Sequence, residues 1–242
     1  MAGAIHEICR RNRSGAGRIA MTFPFIIIEG LDGTGKTTLR KGLYRMWRGL
    51  ERHTPLCLLT TNYLDWTVGG KLVVGKYTPE PANREDYLTA LSDDKHTTVE
   101  RLIRPALAHR PVIADRWLVS EMTFFAIKHD LSPLDTYQRL SAAIDVPATI
   151  TFLLETDVKA SMARAGGREG NAVRADWDIT DVQKRVKAVY REILNDSVSY
   201  PLLGRVVSLD STHDRATVLH AAWRHLAAHR SRPGAGGPNY VG

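Results

Sequence analysis

Cysteine is nearly absent from the 242-residue chain: there are two, Cys9 and Cys57. Two thiols cannot make a disulfide framework or a four-thiolate zinc site. Their scarcity fits a reducing cytoplasm. Long apolar runs are missing as well. None approaches the roughly 18 residues that a membrane-spanning helix needs, so no membrane partner is expected. There is no C-x-x-C pair, no zinc-finger spacing, no serine elbow and no internal repeat. The basic first twenty residues lack a long apolar core and do not read as a secretory signal.

What is present is ordinary globular composition, 43 % hydrophobic and 24 % charged. The formal net charge is +7, and it is unevenly placed. Residues 1–20 carry Arg10, Arg11, Arg13 and Arg18 against Glu7, a net +3. The Gly/Pro-rich stretch 231–242 adds Arg232, which leaves +3 for the middle. The expected organisation is therefore a basic, disordered arm over 1–20, one domain over 21–230 and a disordered tail over 231–242. A basic arm can bind nucleic acid. A solvated arm is the simpler reading and the one adopted, so nucleic acid is not an expected partner.

Five short apolar runs predict buried strands at Phe23–Ile28, Leu56–Thr61, Val112–Ala114, Thr149–Leu154 and Arg205–Leu209. Between them, helical spacing predicts helices over Lys36–Arg48, Tyr87–Ala108, Leu118–Lys128, Leu134–Ala143, Val158–Ala165, Asp181–Ser197 and Asp214–Ala228. Such alternation implies an α/β fold, a five-stranded parallel sheet with helices on both faces. Ligands of such sheets bind beyond the carboxyl ends of the strands.

The first strand runs into Gly30-Leu31-Asp32-Gly33-Thr34-Gly35-Lys36-Thr37, which is G-x-x-x-x-G-K-[ST]. Chance yields that pattern in roughly one chain of this length in a hundred. Its place between a strand and a helix makes it a phosphate-binding loop. Glycines allow backbone N–H groups to converge on phosphate oxygens, and the following helix aims its positive end at the same anion. Lys36 supplies a point charge to ATP, and the Thr37 hydroxyl suits Mg²⁺. Gly30 to Thr38 form the expected nucleotide site.

From these residues outward, the chain resembles the thymidylate kinase family. Ile28-Glu29-Gly30 through Thr37-Thr38 resembles its phosphate loop, including the acidic Asp32. Asp94-Lys95 followed by Ile103-Arg104-Pro105-Ala106-Leu107 resembles its long helix. Asp115-Arg116-Trp117-Leu118-Val119-Ser120 resembles its D-R-[YHW]-x-x-S motif. Val173-Arg174-Ala175-Asp176 and then Val186 to Tyr190 resemble its lid and the helix after it. The resemblance implies a three-layer P-loop NTPase fold with a small helical lid. It implies an ATP- and Mg²⁺-dependent nucleoside monophosphate kinase acting on dTMP or a related nucleotide, and it suggests a homodimer.

Roles carry over residue by residue. Arg116 matches the arginine that grips the acceptor phosphate, where a planar fork suits two oxyanion contacts. Asp115 matches a carboxylate near Mg²⁺, with capping of the next helix as the alternative. Asp32 faces acceptor or metal. Arg164, Arg168 and Arg174 are expected to bring cations to the transferring phosphoryl group. Lys95 and Phe124 fall on the acceptor side. There the chain departs from the family three times. R-E-P after the second strand becomes Thr60-Thr61-Asn62-Tyr63, with Lys71 or Lys76 as the available cations. The helix arginine becomes Lys95, and A-Y-Q becomes Thr123-Phe124-Phe125. The donor side is intact and the acceptor side is changed. Two other readings therefore stand beside the first: a kinase of another small acceptor, and a nucleotide-dependent binding or regulatory module.

Overall fold

The structure, a computed structural model, describes residues 23–166 and 179–230. The arm over 1–20, the tail over 231–242, and Arg168 and Arg174 lie outside the described residues.

Five parallel strands form one sheet in the order β2-β3-β1-β4-β5. They are β1 Phe25–Gly30, β2 Leu56–Leu59, β3 Val112–Asp115, β4 Ile150–Glu155 and β5 Arg205–Asp210. All six residues of β1 are buried, as the central strand of a two-faced sheet must be. Its side chains alternate between two cores. Phe25 and Ile27 join a cluster with Tyr87, Leu91, Trp117, Phe125 and Tyr190. Ile26 and Ile28 join Leu39, Leu43, Trp47, Phe152 and Leu226 on the other face. Helix α1 (Lys36–Leu50) and the last helix (Arg215–Arg230) cover that second face. The three-layer α/β expectation therefore holds. Among the described residues no helix is long and apolar enough to cross a membrane.

Two elements differ from the sequence reading. A helix not anticipated, α2 (Trp66–Tyr77), follows β2. Gly69, Gly70 and Gly75 lower its intrinsic propensity. It is held instead by its cap and by packing. Asp65 accepts from the Thr67 N–H at 2.8 Å. Gly75 lies so close to Tyr87 that an added Cβ would sit 2.0 Å from the ring. The second difference is the expected continuous helix Tyr87–Ala108. It is α3 (Arg84–Thr98), a π-helical stretch at Val99–Ile103, and the short α4 (Arg104–Leu107). Pro105 has no N–H to donate and its ring crowds the preceding turn. The wider π turn accommodates that loss.

The remaining helices are α5 (Leu118–Lys128), α6 (Pro133–Ser141), α7 (Val158–Gly166), α8 (Thr180–Asn195) and α9 (Arg215–Arg230). Because Ile28 pairs with Asp115 across β1 and β3, the loops leaving those strands emerge side by side.

Candidate active site

The phosphate loop leaves β1 at Gly30 and enters α1 at Lys36. Gly33 has φ +83, and a Cβ there would fall 2.0 Å from the Ser161 carbonyl oxygen. Only glycine lets α7 seat on the loop this closely. Gly35, at φ +96, has open space where its Cβ would be. The loop is tied from within: Thr34 Oγ1 donates to the Leu31 carbonyl at 2.9 Å. Lys36 is buried, and its Nζ donates to the Gly30 and Leu31 carbonyls at 3.0 and 2.7 Å. Burial first, then the nearby Arg116, lowers its pKa to about 7, against the opposing pull of Asp32, Asp115 and Glu29. Thr38 is exposed in the first turn of α1.

The second half of the site is the turn between β3 and α5. Arg116 sits at φ +74, an uncommon conformation for a side chain with a Cβ. Its N–H donates to the Ile28 carbonyl at 2.9 Å. Its guanidinium donates to Asp32 Oδ1 at 2.5 Å, Ser120 Oγ at 3.0 Å and the Tyr190 hydroxyl at 3.1 Å. Glu29, fully buried at the end of β1, organises this turn. It accepts from the Trp117 N–H at 2.7 Å, from Ser120 Oγ at 2.6 Å and from the Tyr190 hydroxyl at 3.3 Å. Burial pushes its carboxyl above the ordinary range, while Arg116 and the Ser120 hydroxyl pull it back.

Asp32 thus joins the two halves, 3.7 Å from Lys36 and bonded to Arg116. Between them lies a cavity of about 320 Å³ lined by Asp32, Gly35, Lys36, Thr37, Asp115 and Arg116 among others. A second cavity of about 350 Å³ continues from Asp32, Thr60, Lys76 and Arg116 toward Tyr87, Glu121 and Phe124.

Thr37 Oγ1 donates to Asp115 Oδ2 at 3.3 Å, so the two residues expected at Mg²⁺ are neighbours. Asp115 also lies 3.4 Å from Arg40 Nε. Two oxygen donors fit a hard cation that keeps several waters and takes further oxygens from phosphate. Among the described residues no group of three or more His, Cys, Asp or Glu side chains could hold a metal by itself.

The other expected residues are placed less uniformly. Phe124 lines the second cavity. Lys95 does not: its side chain has no exposed surface. Its Nζ donates to the Thr60 carbonyl and to Glu121 at 3.2 Å, and lies 4.4 Å from the Trp117 ring centre. It sits one layer behind the cleft. Trp117 and Phe125 fill the core. Of the two substitute cations, Lys76 lines both cavities and Lys71 pairs with Asp86 on the surface. Arg164 is exposed on α7 and donates to the Ser211 carbonyl at 3.3 Å. Sequence reasoning gave no role to Glu29, Ser120, Tyr190 or Glu121. The first three stood inside matched motifs. Glu121 was signalled only as a lone acid within the apolar run Leu118–Phe125.

A phosphate loop on the central strand, facing a forked arginine on the next, defines a P-loop nucleotide-dependent phosphotransferase. The family profile described as Thymidylate kinase matches residues 28–203. The chain belongs to the thymidylate kinase family. It is accordingly a nucleoside monophosphate kinase that uses ATP. The chain is 29 % identical over 201 residues to a protein named "Probable thymidylate kinase" from Thermococcus gammatolerans, covering 78 % of this chain and 91 % of that one. It is 28 % identical over 209 residues to the protein so named from Thermococcus kodakarensis, covering 81 % and 96 %. It is 26 % identical over 215 residues to the "Thymidylate kinase" of Lacticaseibacillus casei, covering 85 % and 96 %.

Proposed function

We propose that the joined cavities carry ATP at the phosphate loop and a nucleoside monophosphate beyond Arg116, and that the γ-phosphoryl group passes between them. One observation carries this reading: Lys36 and Arg116 line one cavity from opposite sides with Asp32 between them.

The chemistry asks little of a base. An acceptor phosphate oxygen is already an anion, so alignment and charge neutralisation suffice. Lys36 exchanges its loop carbonyls for phosphate oxygens. Asp32 releases one arm of the Arg116 fork, which then takes the acceptor phosphate. Glu29, Ser120 and Tyr190 hold the other arm and the turn, so the fork is aimed before the acceptor arrives. Lys76, at the mouth of both cavities, adds a second cation on the acceptor phosphate. Thr37 and Asp115 would hold Mg²⁺, which when bound neutralises phosphate charge and orients the oxygens. Phe124 offers a flat apolar wall to the base. Thymidylate is the acceptor named in the relatives, and dTMP or a related nucleotide is the acceptor range proposed here.

The proposed working unit is the domain over 21–230, in a cytoplasmic protein that forms a homodimer. The function is tested by coupled ADP release over a panel of nucleoside monophosphates and nucleosides. Turnover should require a monophosphate. Lys36→Ala should reduce it by three orders of magnitude or more, about 4 kcal/mol of lost barrier lowering, with thermal unfolding little changed. Slow, acceptor-independent hydrolysis with near-normal turnover by Lys36→Ala would overturn the assignment.

A further inference from the structure

The deep end of the acceptor cavity has a polarity of its own. Glu121 lines it beside Thr60, opposite Tyr87 and Phe124, whose rings meet edge to face at 5.6 Å. The Glu121 side chain is only 6 % exposed. Its Oε1 accepts from Thr60 Oγ1 at 2.9 Å and from Lys95 Nζ at 3.2 Å. Among the described residues its Oε2 makes no hydrogen bond, and it is not one of the polar atoms sealed from solvent. Lys95, itself saturated by Thr60, Glu121 and the face of Trp117, supplies the countercharge from behind.

A carboxylate oxygen accepts hydrogen bonds and never donates them. A ring lying against Phe124 must therefore turn an N–H toward Glu121. A carbonyl in the same place would set two acceptors against each other. Thymine and uracil carry a carbonyl at position 4, where cytosine carries an amine. Hypoxanthine carries one at position 6, where adenine carries an amine. We propose that Glu121 reads the acceptor base and that the acceptor of this enzyme is a nucleoside monophosphate whose base bears an exocyclic amino group. This deepens the kinase reading and rests on it.

The experiment compares acceptors that differ at one group, with ATP as donor and ADP release as readout. The pairs are dCMP with dUMP, dAMP with dIMP, and dGMP with dIMP. Within the pair whose ring is accepted, kcat/KM should favour the amino member roughly tenfold or more, the range of a hydrogen bond to a charged group. Glu121→Gln keeps an oxygen for Lys95 and Thr60 and turns the free oxygen into a donor. The amino preference should then shrink or reverse. Because the ratio is read within one protein, a general loss of activity does not imitate it, and the wild-type pairs decide the matter if the variant fails to fold. The inference falls if dTMP and dUMP are used as well as dCMP, dAMP and dGMP, or if Glu121→Gln leaves the ratio unchanged. The kinase reading itself falls, and this inference with it, only if no monophosphate is phosphorylated at all.

Discussion

Arg116 carries two burdens, a left-handed backbone and a side chain shared among Asp32, Ser120 and Tyr190. A non-glycine residue in that region costs on the order of 1–3 kcal/mol and persists where its surroundings hold it. Tyr190, which bonds Arg116, Ser120 and Glu29 at once, is one of those holds. Tyr190→Phe removes the hydroxyl and keeps the ring. We expect kcat/KM for the acceptor to fall about fivefold, the worth of roughly 1 kcal/mol of hydrogen bonding, with the KM for ATP unchanged. Steady-state kinetics with each substrate varied in turn checks this. A fall in melting temperature alone would reduce Tyr190 to packing. The difference between legible and hidden residues has a physical basis. Lys36 and Thr37 were legible because a phosphate loop is a local object, eight residues that act on a ligand together. Glu29 was not, because its partners Trp117 and Ser120 lie 88 and 91 positions away and only the sheet brings them close. Lys95 was misplaced for the same reason. Its spacing on α3 was right, but only tertiary packing shows that Glu121 stands between it and the cleft.

Among the elements, strands were read well and helix interiors less so. A buried strand announces itself through a short apolar run between turns, and β1, β3 and β4 do so. Helix α2 announces little, since three glycines mask its period and its stability comes from Asp65 and from contact with Tyr87. Helix α5 shows the opposite case, an element correctly placed whose end holds a hidden feature. His129, just past it, is buried with both ring nitrogens unpartnered, 5.1 Å from Phe125 and 5.8 Å from Phe124. Burial, and then Arg84, lowers its pKa below the usual 6.5. The unfolded chain therefore takes up the proton first. The contribution is intact above 6.5 and is lost as pH falls from there toward the lowered value. His129→Phe keeps an aromatic plug and removes the proton. Its melting temperature should drop less than the wild type's between pH 7.5 and 5.5. A difference of 1 kcal/mol corresponds to roughly 2–4 °C at this size. His225 is lowered too, so the contrast between the two proteins is the readout. Parallel curves would show that His129 is not the titrating group.

At the scale of the whole molecule, the two cores on either side of the sheet are built from residues between Phe25 and Leu226. Nothing in them calls on the basic arm or the Gly/Pro-rich tail. A protein spanning residues 21–230 should melt within a few degrees of the full chain, and its kcat/KM should stay within about twofold, since substitutions away from such cores rarely exceed 0.5 kcal/mol. Calorimetry and the ADP-release assay on both proteins check this. A large loss of activity with unchanged melting would give the arm or tail a part in the reaction. The sheet order separates the two halves of the site along the chain. Thr60, Lys76, Tyr77, Tyr87, Glu121 and Phe124, which face the acceptor, all come from the stretch after β2 and around β3. The phosphate loop precedes them, and α7 follows. One uninterrupted cassette thus encodes the choice of acceptor, while the donor machinery is encoded outside it. A single recombination of that cassette could hand this kinase a new substrate without touching how it handles ATP, and a chimaera with a relative is the natural way to trade specificities.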